Sequence, residues 1–216
     1  MNAHTAQYLI PLIGYLVGTI PFGFLSAKVA SGMDIRREGS GNIGATNVAR
    51  VLGPAWGILV LILDLLKGFL AVVLLPRLAP PELHHDLAVA AGFAAILGHM
   101  FPLWLAFHGG KGVATALGVV TALSPTATLF SVSTFLFVVG STRLVSLGSI
   151  SAVTAFAVAH FIQTGADCFS IEHRALSLFS LLIPSLIVIA HRQNLSRLLR
   201  GQEPKLGAKP NPPPPS

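Results

Sequence analysis

Long apolar runs separated by short polar stretches recur along the chain. A helix that crosses the hydrocarbon core of a bilayer needs about 20 apolar residues. The runs at 8–31, 54–76, 87–105, 147–163 and 175–190 read as such spans. Two further runs, 113–123 and 126–140, are shorter and are divided by Ser124-Pro125. A proline closes the helix before it and opens the next one readily. The pattern therefore predicts an all-α polytopic protein of seven transmembrane helices, in one domain over residues 1–200. The competing pattern joins 113–140 into one helix kinked at Pro125 and gives six spans. The first run lacks the basic start and small-residue cleavage site of a removable leader, so it is expected to remain as a span.

Lys and Arg decide between six and seven, because they collect on the cytoplasmic side of membrane proteins. With seven spans, Lys28, Arg36, Arg37, Arg50, Lys111, Arg143, Arg192, Arg197, Arg200, Lys205 and Lys209 share one side. Only Arg77 and Arg174 fall on the other, beside Glu82, Asp86, Asp167 and Glu172. Six spans would move Arg143 and the basic C-terminal region outward. The expectation is an N-terminus outside and a C-terminus in the cytoplasm. The segment 201–216, ending Pro-Pro-Pro-Pro-Ser, reads as a disordered tail.

Composition agrees with a membrane protein. Mean hydropathy is +0.73, and 10% of residues are charged, against about 25% in soluble domains. The formal charge of +6 follows sidedness and forms no nucleic-acid patch. With one cysteine, Cys168, an internal disulfide is excluded. His99, His108 and His160 have no Cys or paired carboxylate beside them, so no metal or other cofactor is expected.

Three polar stretches carry the chemistry, and all fall on the cytoplasmic side. Ser40, Gly41, Asn42, Gly44, Thr46, Asn47 and Arg50 make up the first. Gly109-Gly110-Lys111-Gly112 is the second, and His191, Asn194 and Arg197 lie in the third at i, i+3 and i+6 of a helical pattern. Glycines permit close backbone approach, and converging N–H groups with a fixed cation suit phosphate. Gly39, Gly41 and Gly44 match G-x-G-x-x-G formally, but no strand precedes them, so a dinucleotide fold is excluded. A P-loop fails too, because Gly112 follows Lys111 where Ser or Thr is needed. Asp64 and Lys67 lie three residues apart in mid-span and read as an ion pair locking the bundle. No His has Asp five positions on, no nucleophile elbow occurs, and no acidic cluster suits Mg²⁺. A small transporter or flippase of organic phosphates would use the same residues, but no inverted repeat is visible.

The same stretches resemble the bacterial acyl-phosphate:glycerol-3-phosphate acyltransferases, the PlsY family. The likeness runs through Ser40-Gly41-Asn42-Ile43-Gly44-Ala45-Thr46-Asn47-Val48-Ala49-Arg50, Gly98-His99-Met100-Phe101-Pro102, and Phe107 to Thr115. It continues through His191-Arg192-Gln193-Asn194-Leu195-Ser196-Arg197-Leu198 with Gly201 and Glu203, and through Asp64-Leu65-Leu66-Lys67-Gly68 and Thr142 to Leu147. His108 departs from the Lys or Arg usual there.

The resemblance implies transfer of an acyl group from acyl phosphate to the 1-hydroxyl of glycerol 3-phosphate in the bacterial inner membrane. Lysophosphatidic acid and inorganic phosphate would be the products. It implies that Ser40, Arg50 and Lys111 grip phosphate, that His191 and Asn194 orient glycerol 3-phosphate, and that Ser149 or Ser146 lines the same pocket. Membrane lipid and the enzyme that supplies acyl phosphate are the partners it implies. Direct attack without an acyl-enzyme fits, with either a substrate phosphate or His191 taking the proton.

Overall fold

The computed structural model describes residues 1–207, and these form helices, turns and loops without strands. Helix α1 (Ala3–Gly18) starts at Asn2, whose side chain accepts from the Thr5 N–H at 2.9 Å. It breaks at Thr19–Pro21, where proline removes a backbone donor, and resumes as α2 (Phe22–Ser31). Helix α3 (Ala45–Leu52) stops at Gly53, whose φ of +98° suits glycine, and Pro54 opens α4 (Pro54–Leu74). Next come α5 (His84–Met100), α6 (Val113–Leu123), α7 (Pro125–Thr142) and α8 (Val145–Thr164). Helix α9 (Arg174–Ala190) turns at His191 into α10 (Arg192–Leu199), the two bent by 61°.

Among the described residues, five helical units are long and apolar enough to cross a membrane. They are Ala3–Ser31, Pro54–Leu78, Pro81–Leu105, Pro125–Thr142 and Val145–Phe169; the bent pair α9–α10 is a sixth when counted as one span. Helix α6 is apolar but only 11 residues long. The break expected at Ser124-Pro125 is present, with Ser124 extended and Pro125 in the first turn of α7.

Lipid tails are as apolar as leucine, so helices in a membrane associate through close contact of small residues. Helix α1 meets α5 this way. A Cβ on Gly14 would lie 2.7 Å from Ala91 O, and one on Gly18 would collide with the Ala95 carbonyl. Helix α4 meets α6 through Gly68 against Thr115 and Gly118 against Leu65. Ile96, Met100, Val119, Phe156, Phe179 and Ile187 fill the interior between α5, α6, α8 and α9. A second cluster, including Ile35, Ile43, Val48, Val60 and Leu105, seats the first polar stretch on the bundle. Outside, α7 shows Phe130, Leu136 and Phe137, and α4 shows Ile62, Leu66 and Leu70.

The segment after α10 does not leave the body at Gly201, as a disordered tail would. Leu206 N–H donates to Arg143 O at 2.7 Å, and the Arg143 guanidinium returns a bond to Leu206 O at 2.9 Å. Glu203 accepts from α10, so residues 201–207 are tied down at two points. The Pro-rich end, 208–216, lies outside the described residues.

Candidate active site

The turn before α6 delivers Lys111. Its Nζ donates to the Asn194 side-chain oxygen, joining α6 to α10. Asn194, 7% exposed, then passes the link on, its Nδ2 donating to a Glu203 carboxylate oxygen at 2.6 Å. The other oxygen of Glu203 receives Arg197 Nε at 2.7 Å. Lys111, Asn194, Glu203 and Arg197 form one continuous polar chain. Burial, and then the charges of Arg197 and Arg50, push the Lys111 amine down to about 8, against the pull of Glu203. Burial raises the Glu203 carboxyl, but Asn194, Ser146 and Arg197 outweigh it and leave it below its ordinary value.

His191 closes α9 and is 2% exposed. Its Nδ1 lies 2.8 Å from Ile187 O. A carbonyl only accepts, so Nδ1 carries the proton and Nε2 is left as the acceptor. Burial, then the charge of Lys111, push this imidazole down to about 4, so it is neutral near pH 7. Ser146 Oγ is buried beside the Glu203 carboxylate and helps to hold it in its charged form. Ser149 Oγ donates to Val145 O at 2.9 Å within α8 and keeps its acceptor capacity.

The arrangement offers two cations, a neutral amide and a neutral imidazole beside a buried carboxylate. A separate open cavity of about 470 Å³ lies between the first and second stretches. Asp34, Arg36, Arg37 and Gly41 line one side, with Arg36 paired to Asp34 at 2.7 Å, and His108 and Gly109 the other. The cations gathered at Lys111, Arg197 and Arg50 suit a small, doubly charged anion.

Comparison with known proteins decides what family this is. The profile of the Glycerol-3-phosphate acyltransferase family matches residues 8–201. The chain belongs to the glycerol-3-phosphate acyltransferase family. Its relative of that name from Myxococcus xanthus is 47% identical over 194 residues, covering 89% of this chain and 95% of the relative. That from Anaeromyxobacter sp. (strain K) is 41% identical over 199 residues, covering 92% and 96%. The crystal structure of PlsY (YgiH), an integral membrane glycerol 3-phosphate acyltransferase, in its glycerol 3-phosphate form matches with TM-score 0.83 and 40% identity. It covers 94% of this chain and 96% of that one. The PlsY family resemblance read from the motifs is thus borne out, and the chain is an integral membrane acyltransferase.

Not every residue expected at the acyltransferase site stands there as expected. Lys111, Asn194, His191, Arg197 and Ser146 come together, with Arg50 near enough to act on Lys111. Ser40 and Thr46 are exposed at the first stretch. Asn47 is different: its side chain builds the loop. It accepts from Ser40 N–H at 2.8 Å and donates to the carbonyls of Asn42, Glu38 and Ile35 at 2.9, 3.0 and 3.4 Å. Asn42 likewise holds Gly44 N–H at 2.8 Å.

The glycine amides are also engaged. Gly41 N–H bonds Glu38 O, Gly109 bonds Met100 O and Gly110 bonds His99 O, at 3.0, 3.1 and 3.1 Å. An anion cradle made from the N–H groups of Gly41, Gly44, Gly109 and Gly110, expected from sequence, is therefore not present. These glycines serve close packing and turning instead. Glu203 is the residue that sequence reasoning left without a role. Its signal was a lone acid six residues after Arg197, among basic residues of the same side.

Proposed function

We propose that this acyltransferase moves a fatty acyl group from acyl phosphate to the sn-1 hydroxyl of glycerol 3-phosphate. The products are lysophosphatidic acid and inorganic phosphate. The observation that carries this reading is the Lys111–Asn194 bond within reach of Arg50, Arg197 and neutral His191. Phosphate on both substrates matches those cations. The crystal structures of the related PlsY in a glycerol 3-phosphate form and a lysophosphatidic acid form support the acceptor and product.

Ser40, Arg50, Lys111 and Arg197 hold phosphate in this reading, and His191 and Asn194 orient the glycerol. Ser146 and Ser149 line the pocket, and the first stretch supplies its wall. The hydroxyl oxygen bonds the acyl carbon, and the bond from that carbon to the phosphate oxygen breaks. A hydroxyl proton leaves with phosphate. Acyl phosphate is a mixed anhydride with a good leaving group, so positioning and charge stabilisation carry the rate, each well-placed donor contributing roughly 3–4 kcal/mol. An imidazole near 4 is a weak base at neutral pH, whereas a phosphate monoester, with a second pKa of about 6, is a better one. The substrate phosphate is therefore the proton acceptor.

Seven spans with the N-terminus outside would put α6 within the membrane, shielded by α4 and α5. They would face the site to the cytoplasm of a bacterial inner membrane, as the distribution of Lys and Arg favours. Residues 1–200 act as one domain, and the enzyme that supplies acyl phosphate is the partner.

A product assay tests the proposal. Purified protein in detergent receives palmitoyl phosphate or palmitoyl-CoA with labelled glycerol 3-phosphate. Lysophosphatidic acid from palmitoyl phosphate alone is the expected result. Product from palmitoyl-CoA alone overturns the donor, and a 2-acyl product overturns the position.

A further inference from the structure

Beneath the turn that carries Lys111 lies a charged group that the proposed chemistry does not use. Asp64 and Lys67 on α4 and His99 on α5 are 1%, 4% and 4% exposed. Lys67 Nζ lies 2.8 Å from Asp64 Oδ1, 3.0 Å from His99 Nδ1 and 2.9 Å from Ile20 O. An ammonium has three protons and no acceptor; here it bonds Ile20 O and His99 Nδ1 and pairs with the Asp64 carboxylate, which also lies 3.4 Å from His99 Nδ1. With Lys67 charged, His99 Nδ1 accepts from its ammonium, which leaves the ring proton on Nε2.

That Nε2 edge is where the glycine turn rests. A Cβ on Gly110 would collide with His99 Nε2 and one on Gly109 with His99 O. The two strands of chain are also paired by Gly109 N–H to Met100 O and Gly110 N–H to His99 O. The segment between them is strained, with Ala106 and Phe107 both at positive φ, 49° and 63°. Non-glycine residues adopt such angles only where surroundings impose them. Ile20 O belongs to the break between α1 and α2, whose other side is held by Trp104 Nε1 donating to Thr19 Oγ1 at 2.9 Å. One buried node thus joins the first helix break, α4, the end of α5 and the Lys111 turn.

We propose that the Asp64–Lys67–His99 triad is the positioning element of the Lys111 turn, setting the ammonium against Asn194 and hence setting affinity for glycerol 3-phosphate. This rests on the reading of Lys111 as a phosphate-holding side chain. His99 is a positioning residue: it acts through the backbone of Gly109 and Gly110. An ion pair serving only to lock helices together would not need an imidazole fitted to a glycine turn.

The test is binding of glycerol 3-phosphate by calorimetry in detergent, which needs no acyl donor, with a thermal melt of each variant. Lys111→Ala is the control for the site itself. His99→Asn keeps an acceptor for Lys67, whereas His99→Leu removes it. His99→Leu should raise Kd about tenfold or more, as displacements near 1 Å do, and His99→Asn should stay within a few-fold of the parent. Gly110→Ala should weaken binding as His99→Leu does, because the new methyl must push the ring aside. The double variant His99→Asn/Gly110→Ala should regain affinity over Gly110→Ala alone, because the smaller side chain makes room.

Simple addition of the two effects in the double variant overturns the proposal, and that comparison stands even if His99→Leu does not fold. Loss of binding in Lys111→Ala with parental binding in His99→Leu also overturns it. Parental binding in Lys111→Ala overturns the reading of the site beneath it.

Discussion

Lys111 Nζ and Asn194 Oδ1 are hydrogen-bonded across 83 residues of sequence. The bond joins the first turn before α6 to the helix that follows the bend at His191. It makes the two polar stretches a single site, and it orients the ammonium toward the region shared with Arg50 and Arg197.

Replacing Lys111 by Ala should lower kcat/KM by about 10²–10³-fold, the usual effect of removing one preorganised donor at developing charge. Lys111→Arg keeps the charge but not the compact geometry, since guanidinium is a planar fork. It should recover only part of the loss. Wild-type kcat/KM in Lys111→Arg would remove Asn194 contact from the account. Steady-state rates with each substrate varied are the measurement.

Because burial lowers the Lys111 amine to about 8, activity should fall as pH rises through 8 and the ammonium is lost. Stability from this group moves the other way. The folded value lies below the ordinary 10.5, so between the two the unfolded chain binds more protons and stability rises with pH. The alkaline loss of activity should therefore occur without a fall in Tm attributable to Lys111. Glu203 attracts the Lys111 charge, so Glu203→Gln should move the alkaline limb to lower pH. Glu203 itself is held below its ordinary 4.5. Its stabilising effect is present above 4.5 and fades as pH falls through the lower folded value. The Tm gap between parent and Glu203→Gln should narrow in acid.

His191 separates two proton acceptors. With the imidazole near 4, a His base would give an acid limb in kcat close to that pH, and His191→Ala would abolish it. If the substrate phosphate accepts the proton, His191→Ala lowers kcat/KM while the limbs of the pH profile keep their positions. The folded value lies below the ordinary 6.5, so stability contributed by His191 rises with pH between 4 and 6.5 and should be absent from the variant.

Legibility in the sequence followed the range of the physics. The break at Ser124-Pro125 is local, set by proline in the first turn of α7, and could be read directly. Lys111, His191 and Asn194 could be read because polar residues beside apolar helices demand a reason. The partners of Gly41, Gly44, Gly109 and Gly110 could not be read. An amide in a glycine-rich stretch looks the same whether it faces an anion or, as at Gly110, the carbonyl of His99. Glu203 escaped for a similar reason. Its neighbours in sequence are polar and proline-rich, and only the bend at His191 brings Asn194 and Arg197 around to meet it. The Asp64–Lys67 pair was legible from its spacing, but His99 joins it from another helix.

Asn47 distinguishes a loop-building amide from a ligand. Its Nδ2 faces three carbonyl oxygens and its Oδ1 holds the Ser40 amide. Deleting the side chain in Asn47→Ala leaves these groups to find other partners inside a half-buried turn, at about 1–3 kcal/mol for each that stays unpaired. Asn47→Asp has nearly the same shape but turns a carboxylate oxygen toward those carbonyls, so repulsion replaces attraction. Both variants should lower Tm markedly, and Asp should be no better than Ala. Activity measured well below the new Tm should keep its kcat, with KM for glycerol 3-phosphate raised through the displaced loop. A variant that kept its parental Tm yet lost kcat would instead make Asn47 a substrate contact, for which its bonds to three carbonyls leave no free donor to offer a phosphate.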